Sequence, residues 1–154
     1  MREFFEVLNP AELGEPRGWS NGLLADEPGR ILFVAGQTAM DPESGIASGD
    51  FVSQFATSLD HILTVVREAG GDAMNIGRLT IYVTDLEEYR ASLEPLGRAY
   101  RARMGRHYPA MSLVQVKGLV EAGAKVEIEA TAVIETATDR GDTAERETTA
   151  ANPD

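Results

Sequence analysis

The sequence predicts an α+β domain with element order β-β-β-α-β-α-β-β, in which two helices lie on one face of a sheet. Three observations carry this. Several stretches alternate apolar and polar residues with period two, two stretches repeat apolar residues at helical spacing, and Gly or Pro separates them. The clearest alternation runs from Lys125 to Ile134. Val126, Ile128, Ala130, Ala132 and Ile134 fall on one side, and Glu127, Glu129, Thr131 and Val133 on the other. The first side must be core. The second carries two carboxylates on a strand apolar enough to be central.

In chain order, Glu3 to Val7 reads as a short strand stopped by Asn9-Pro10, and Ala11 to Arg17 as loop. Trp19 to Ala25 is a strand with a bend at Gly22. After the turn Glu27-Pro28-Gly29, Arg30 to Gly36 is the most apolar strand, oily on both sides, and is expected at the centre of the sheet. Asp41 to Gly49 is turn chemistry. Asp50 then caps a helix whose inner stripe is Phe51, Phe55, Leu59, Ile62, Leu63 and Val66, and Gly70-Gly71 ends it.

Arg78 to Thr84 is a strand with Leu79, Ile81 and Val83 on its dry side and Thr80, Tyr82 and Thr84 on the other. Asp85 opens the second helical region. Pro95 suits a first turn and not an interior, so a short turn at Leu86 to Arg90 precedes the main helix, Leu93 to Met104, with Leu96 and Tyr100 inward. In the strand Ala110 to Val116, Ser112, Val114 and Val116 share one side and Met111, Leu113 and Gln115 the other; the second set is expected beside Glu127. From 136 to 154 there is no Val, Ile, Leu or aromatic residue, so a disordered acidic tail is expected after a domain of residues 1–135.

Composition narrows the function. A chain of 154 residues, 43% hydrophobic, suits one domain. It has no Cys, hence no disulfide framework or thiolate chemistry. Its net charge of -11 argues against nucleic-acid and anionic-membrane partners. No apolar run is long enough to span a bilayer, and the N-terminus lacks a signal-like apolar segment, so a cytoplasmic location is expected. His61 and His107 form no metal-ligand pattern. His61 is expected to be solvated and His107 structural. No metal or cofactor is expected. Two helices cover only one face of the sheet, so the other, expected to present Met111, Leu113, Val133 and Tyr82, should be buried against copies of the same chain.

Several short motifs occur together: Asn9-Pro10, Trp19-Ser20-Asn21-Gly22, VAGQT at 34–38, DPESG at 41–45, Gln54, AGG at 69–71, IYVTDLEEY at 81–89, PAMS at 109–112 and VEIEATAV at 126–133. In this order they resemble the Rid/YjgF family of reactive enamine/imine deaminases over roughly residues 7 to 134. The resemblance implies a chorismate-mutase-like fold, a homotrimer whose sheets form a barrel with helices outside, and small-molecule clefts between subunits. By motif, Glu127 is the glutamate that positions or activates water, and Gly36 and Gln37 belong to the segment that seats the ligand. Trp19 replaces the aromatic that closes the cleft, and Ser112 lies beside the position of the family's carboxylate-binding arginine.

That position holds Met111. A thioether cannot clamp a carboxylate, and losing such a pair in a partly buried site costs about 2–5 kcal/mol of binding. Arg103, Arg106 and Lys117 flank the strand ends, and the sequence prefers none of them as a replacement. Two readings follow. One is an enzyme that hydrolyses or tautomerises a reactive enamine or imine, with Glu127 as acid/base, and is not a standard 2-iminopropanoate deaminase. The other is a non-catalytic trimer that sequesters a metabolite or regulates a partner enzyme. The plainer readings are a solvated carboxylate for Glu127 and a core anchor for Trp19.

Overall fold

A computed structural model describes residues 4–25, 28–46 and 49–136. The expectation of a disordered tail therefore lies outside the described residues except at Thr136, and so does Glu3 at the start of the first expected strand.

The described chain folds as β1 (Phe5–Leu8), β2 (Gly22–Ala25), β3 (Gly29–Gln37), β4 (Met40–Asp41), β5 (Gly45–Ile46), α1 (Phe51–Glu68), β6 (Ile76–Val83), α2 (Leu86–Ala91), α3 (Leu93–Met104), β7 (Ala110–Gln115) and β8 (Val126–Glu135). The main sheet has the order β3-β8-β6-β7. Only β6 and β7 are parallel, as a crossover through α2 and α3 requires. Strands β1 and β2 form a separate antiparallel hairpin. The expected DPESG turn closes a second small hairpin, β4–β5, in which Asp41 accepts from the Glu43 and Ser44 amides at 2.9 Å and Gly45 turns at φ 79°.

Helix α1 starts where its cap dictates: the Asp50 carboxylate accepts from the Ser53 amide. Its stripe of Phe51, Phe55, Leu59, Ile62, Leu63 and Val66 is buried on the sheet. The opposing layer is Leu79, Ile81 and Val83 from β6 and Val126, Ile128, Ala130, Ala132 and Ile134 from β8. Leu96, Tyr100 and Met104 of α3 complete the core. Buried Gln54 donates to the Gly123 carbonyl and accepts from the Lys125 amide, which ties α1 to the loop entering β8.

Three expectations are corrected. Strand β3 lies at the sheet edge, not the centre. It is oily on both sides because only one side meets the helices, while Ile31 and Phe33 stand 64% and 78% exposed on the other. Met111 and Leu113 do not share a face with Glu127. In register they lie beside Leu79 and Ile81 and pack against the core, so Ser112 and Val114 occupy the open face. Period-two alternation fixes which residues of one strand share a side, but not which side of its neighbour they match. His61 is not simply solvated: its Nδ1 lies 2.9 Å from the Thr38 carbonyl oxygen. His107 has its Nε2 2.7 Å from the Ile76 carbonyl oxygen and its ring stacked on Phe5, which suits a structural residue.

Candidate functional site on the open face of the sheet

The face turned away from α1 collects the alternate residues of four strands. Register places Ile31 and Phe33 of β3, Val133, Thr131, Glu129 and Glu127 of β8, Arg78, Thr80 and Tyr82 of β6, and Ser112 and Val114 of β7 on it.

A bulge organises the acidic end. Between Val34 and Gln37 two residues of β3, Ala35 and Gly36, stand opposite Glu129 alone. The irregularity brings the β3 backbone against the Glu127 side chain. A Cβ on Gly36 would overlap the Glu127 carboxylate and stand 2.8 Å from its Cδ. The missing side chain at Gly36 thus leaves room for the carboxylate where it lies, and any larger residue would have to push it aside. Burial pushes the Glu127 carboxyl above the usual 4.5, and the negative charges of Glu121 and Glu129 add to the rise. Tyr82, opposite Glu127 on β6, donates its hydroxyl to Glu129 Oε1 at 3.2 Å. Desolvation, and then that hydrogen bond, raise the Tyr82 pKa.

Beside this group lies a cavity of about 620 Å³ lined by Phe33, Ala35, Arg78, Thr80, Glu129 and Thr131. Arg78 continues the Thr80–Tyr82 alternation by one step, so the sequence already placed it on this face. The sequence did not single it out, because it opens the strand as read from sequence, where a charge reads as a solvated end.

The expected site residues divide. The structure brings Glu127 and Gly36 into contact. Gln37 is next in the chain, but its side chain folds back onto the Ala35 carbonyl at 3.2 Å. Ser112 is in register with Thr80, which is itself opposite Glu129. Met111 is on the far side of the sheet. Trp19 lines a different cavity, of about 1240 Å³, with Phe4, Leu23, Arg106, His107 and Tyr108. At 44% exposed it is not a core anchor. Its neighbour Ser20 is held to the start of β7 by a bond from its hydroxyl to the Tyr108 carbonyl at 2.7 Å. Asn9 accepts from the Asn21 amide at 2.8 Å, so that motif pair is a structural clasp.

Of the three cations near the strand ends, Arg103 is tied to Asp60 by two bonds of 2.7 and 2.8 Å. Arg106 lines the Trp19 cavity. Lys117 lies beyond the end of β7.

The family model for endoribonuclease L-PSP matches residues 16–134. The chain belongs to this family, the Rid/YjgF proteins. RutC family protein PM1466 of Pasteurella multocida is 32% identical over 105 residues, covering 68% of this chain and 81% of its own. The 2-iminobutanoate/2-iminopropanoate deaminase of Capra hircus is 31% identical over 125 residues, covering 80% of this chain and 83% of its own. Among solved structures, a Rid family protein of unknown function from Yersinia pestis superposes with a TM-score of 0.73 at 27% identity, covering 85% of this chain and 99% of that one.

Proposed function

We propose that this Rid protein is an enzyme that hydrolyses or tautomerises a small, reactive enamine or imine, with Glu127 as its acid/base. The observation that carries this reading is the Glu127 carboxylate, pressed against the glycine bulge of β3 and held above the ordinary carboxylate pKa. A carboxyl tuned upward exchanges protons nearer neutral pH than a solvated one. In imine hydrolysis it takes a proton from the attacking water as the C–O bond forms. It passes that proton to the imine nitrogen to give a carbinolamine, and then carries the hydroxyl proton to the same nitrogen as the C–N bond breaks, leaving a carbonyl compound and ammonia. The identity to a 2-iminobutanoate/2-iminopropanoate deaminase supports this class of reaction.

The working unit in this reading is a homotrimer. Ile31, Phe33 and Val114 are exposed on the open face, a combination that favours self-association. Trp19 and Glu127 line different parts of one protomer, so a single cleft using both needs a second copy. Substrates whose carboxylate must be clamped at position 111 are disfavoured, because Met111 is a thioether packed against the core. Two carboxylates on the open face also make it a poor seat for an RNA backbone.

The test is to generate 2-iminopropanoate and a neutral imine in situ and follow their loss with and without the protein. We expect the neutral imine to be turned over faster, and Glu127→Gln to abolish the enhancement. Turnover of neither, with a small ligand still bound, would favour the sequestering or regulatory trimer. Carboxylate-imine turnover unchanged by Glu127→Gln would overturn the assignment of Glu127.

A further inference from the structure

The cavity beside Glu127 holds one cation, Arg78, and the face around it leaves that cation available. Arg78 is exposed, and among the described residues no carboxylate lies in salt-bridge contact with it. It shares the cavity with the Thr80 and Thr131 side chains, the exposed ring of Phe33 and the Glu129 carboxylate. Ala35 and Glu129 line the same cavity, and they are the chain neighbours of Gly36, which touches Glu127, and of Ile128, which follows Glu127, so the cavity lies next to the proposed reacting end.

Resting on the functional reading above, we infer that Arg78 receives an acid group of the substrate, and that this group lies several bonds away from the carbon that reacts. Arg78 stands four residues before Tyr82, the β6 position opposite Glu127. At about 3.3 Å per residue, the two positions are roughly 13 Å apart along the strand. The Arg78 side chain shortens that span. An acid at the far end of a short chain therefore fits it better than an acid on the reacting carbon itself while the C=N group meets Glu127.

Glu129 lies between the two positions and repels an acid seated beside it, so the acid is confined to the Arg78 end. The guanidinium fork suits a carboxylate there, and the two threonine side chains supply hydroxyls for its remaining lone pairs. Arg103 and Arg106 do not compete for this role, being tied to Asp60 and placed in the Trp19 cavity respectively.

Binding tests this separately from turnover. The full chain is titrated calorimetrically with pyruvate and with 2-oxoglutarate, the stable carbonyl counterparts of a short and a long acid. The long acid should bind at least about tenfold more tightly, on the strength of a charge-assisted fork. Arg78→Gln should abolish that preference and Arg78→Lys should restore part of it, with unchanged circular dichroism and sedimentation. Equal binding of both acids by the parent protein would overturn the inference, as would a preference that survives Arg78→Gln. A loss of binding accompanied by altered sedimentation of both variants would also overturn it, since Arg78 would then bridge copies of the chain. A retained preference without imine turnover would leave Arg78 as the acid site and refute only the enzymatic reading.

Discussion

The two faces of strands β6 and β8 are built from alternate residues of the same ten or so positions, and they obey different rules. On one, Leu79, Ile81, Val83, Val126, Ile128, Ala130, Ala132 and Ile134 are buried beneath α1 and α3. On the other, Arg78, Thr80, Tyr82, Glu127, Glu129 and Thr131 are polar, while their neighbours Ile31, Phe33 and Val114 are apolar and exposed. The covered face is fixed by volume, because its residues have nowhere else to go. The open face combines charge with oil, which a stability argument alone does not explain. In the reading proposed above, chemistry and self-association are the demands that such a mixture meets.

The sharpest way to break this comparison is to alter one residue from each face of β8. Ile128→Ala should cost about 2–5 kcal/mol in urea unfolding, since Ile128 is fully buried and a cavity would remain. Thr131→Ala, three positions along on the open face, should change stability by less than about 0.5 kcal/mol. Similar losses would mean that the open face is packed in the native assembly as tightly as the covered one.

The next largest effect is expected at the point where backbone and open face meet. Gly36→Ala introduces a methyl group where the Glu127 carboxylate lies. The clash is with the free end of a side chain, so the carboxylate moves aside and the stability cost stays below about 1 kcal/mol. We expect a small change in melting temperature, together with a loss of turnover larger than the stability change explains. Unchanged turnover would detach Gly36 from the site. Phe33→Asp examines the oily part of the same face. The ring is too exposed to matter much for the protomer, so circular dichroism should be retained while sedimentation velocity shows a smaller species.

Much of the covered face was legible in the sequence, because burial imposes a period that can be read residue by residue. The α1 stripe, the β8 alternation and the α3 boundaries at Leu93 and Met104 all follow from spacing, capping and the placement of Pro95. Position within the sheet was less legible. Strand β3 is oily on both sides, a pattern shared by central strands and by edge strands whose outer face awaits a partner. The face of Met111 was not legible, since both sides of its strand carry apolar residues, Met111 and Leu113 on one and Val114 and Val116 on the other, and only its pairing with β6 shows which side joins the core. At the site, Glu127 and Gly36 stood out by motif. The close approach of Gly36 to the Glu127 carboxylate needed the β3 bulge, a two-against-one irregularity with no clear signature in an otherwise apolar run. Alternation alone put Arg78 on the open face, and the register then set it opposite Thr131 across β6 and β8.

The smallest expected effect concerns pH and has a definite sign. The folded-state pKa of Glu127 is raised above 4.5 by burial first and by Glu121 and Glu129 next, so the folded protein holds this proton more tightly than the unfolded chain does. Between 4.5 and the raised value the folded state binds more protons, and stability falls as pH rises through that window. Above it the ionised carboxylate remains a fixed burden on the fold. Glu127→Gln removes the charge and keeps the shape. The variant should therefore melt slightly higher than the parent protein at neutral pH, and the difference should shrink as the pH drops below 4.5, where the parent protein carries the proton as well. A neutral-pH gain in stability combined with lost turnover is the pattern of a residue kept for chemistry. A loss of stability at every pH would mean that the Glu127 carboxylate is held by contacts that favour its charged form, and the covered and open faces would then differ less than their residues imply.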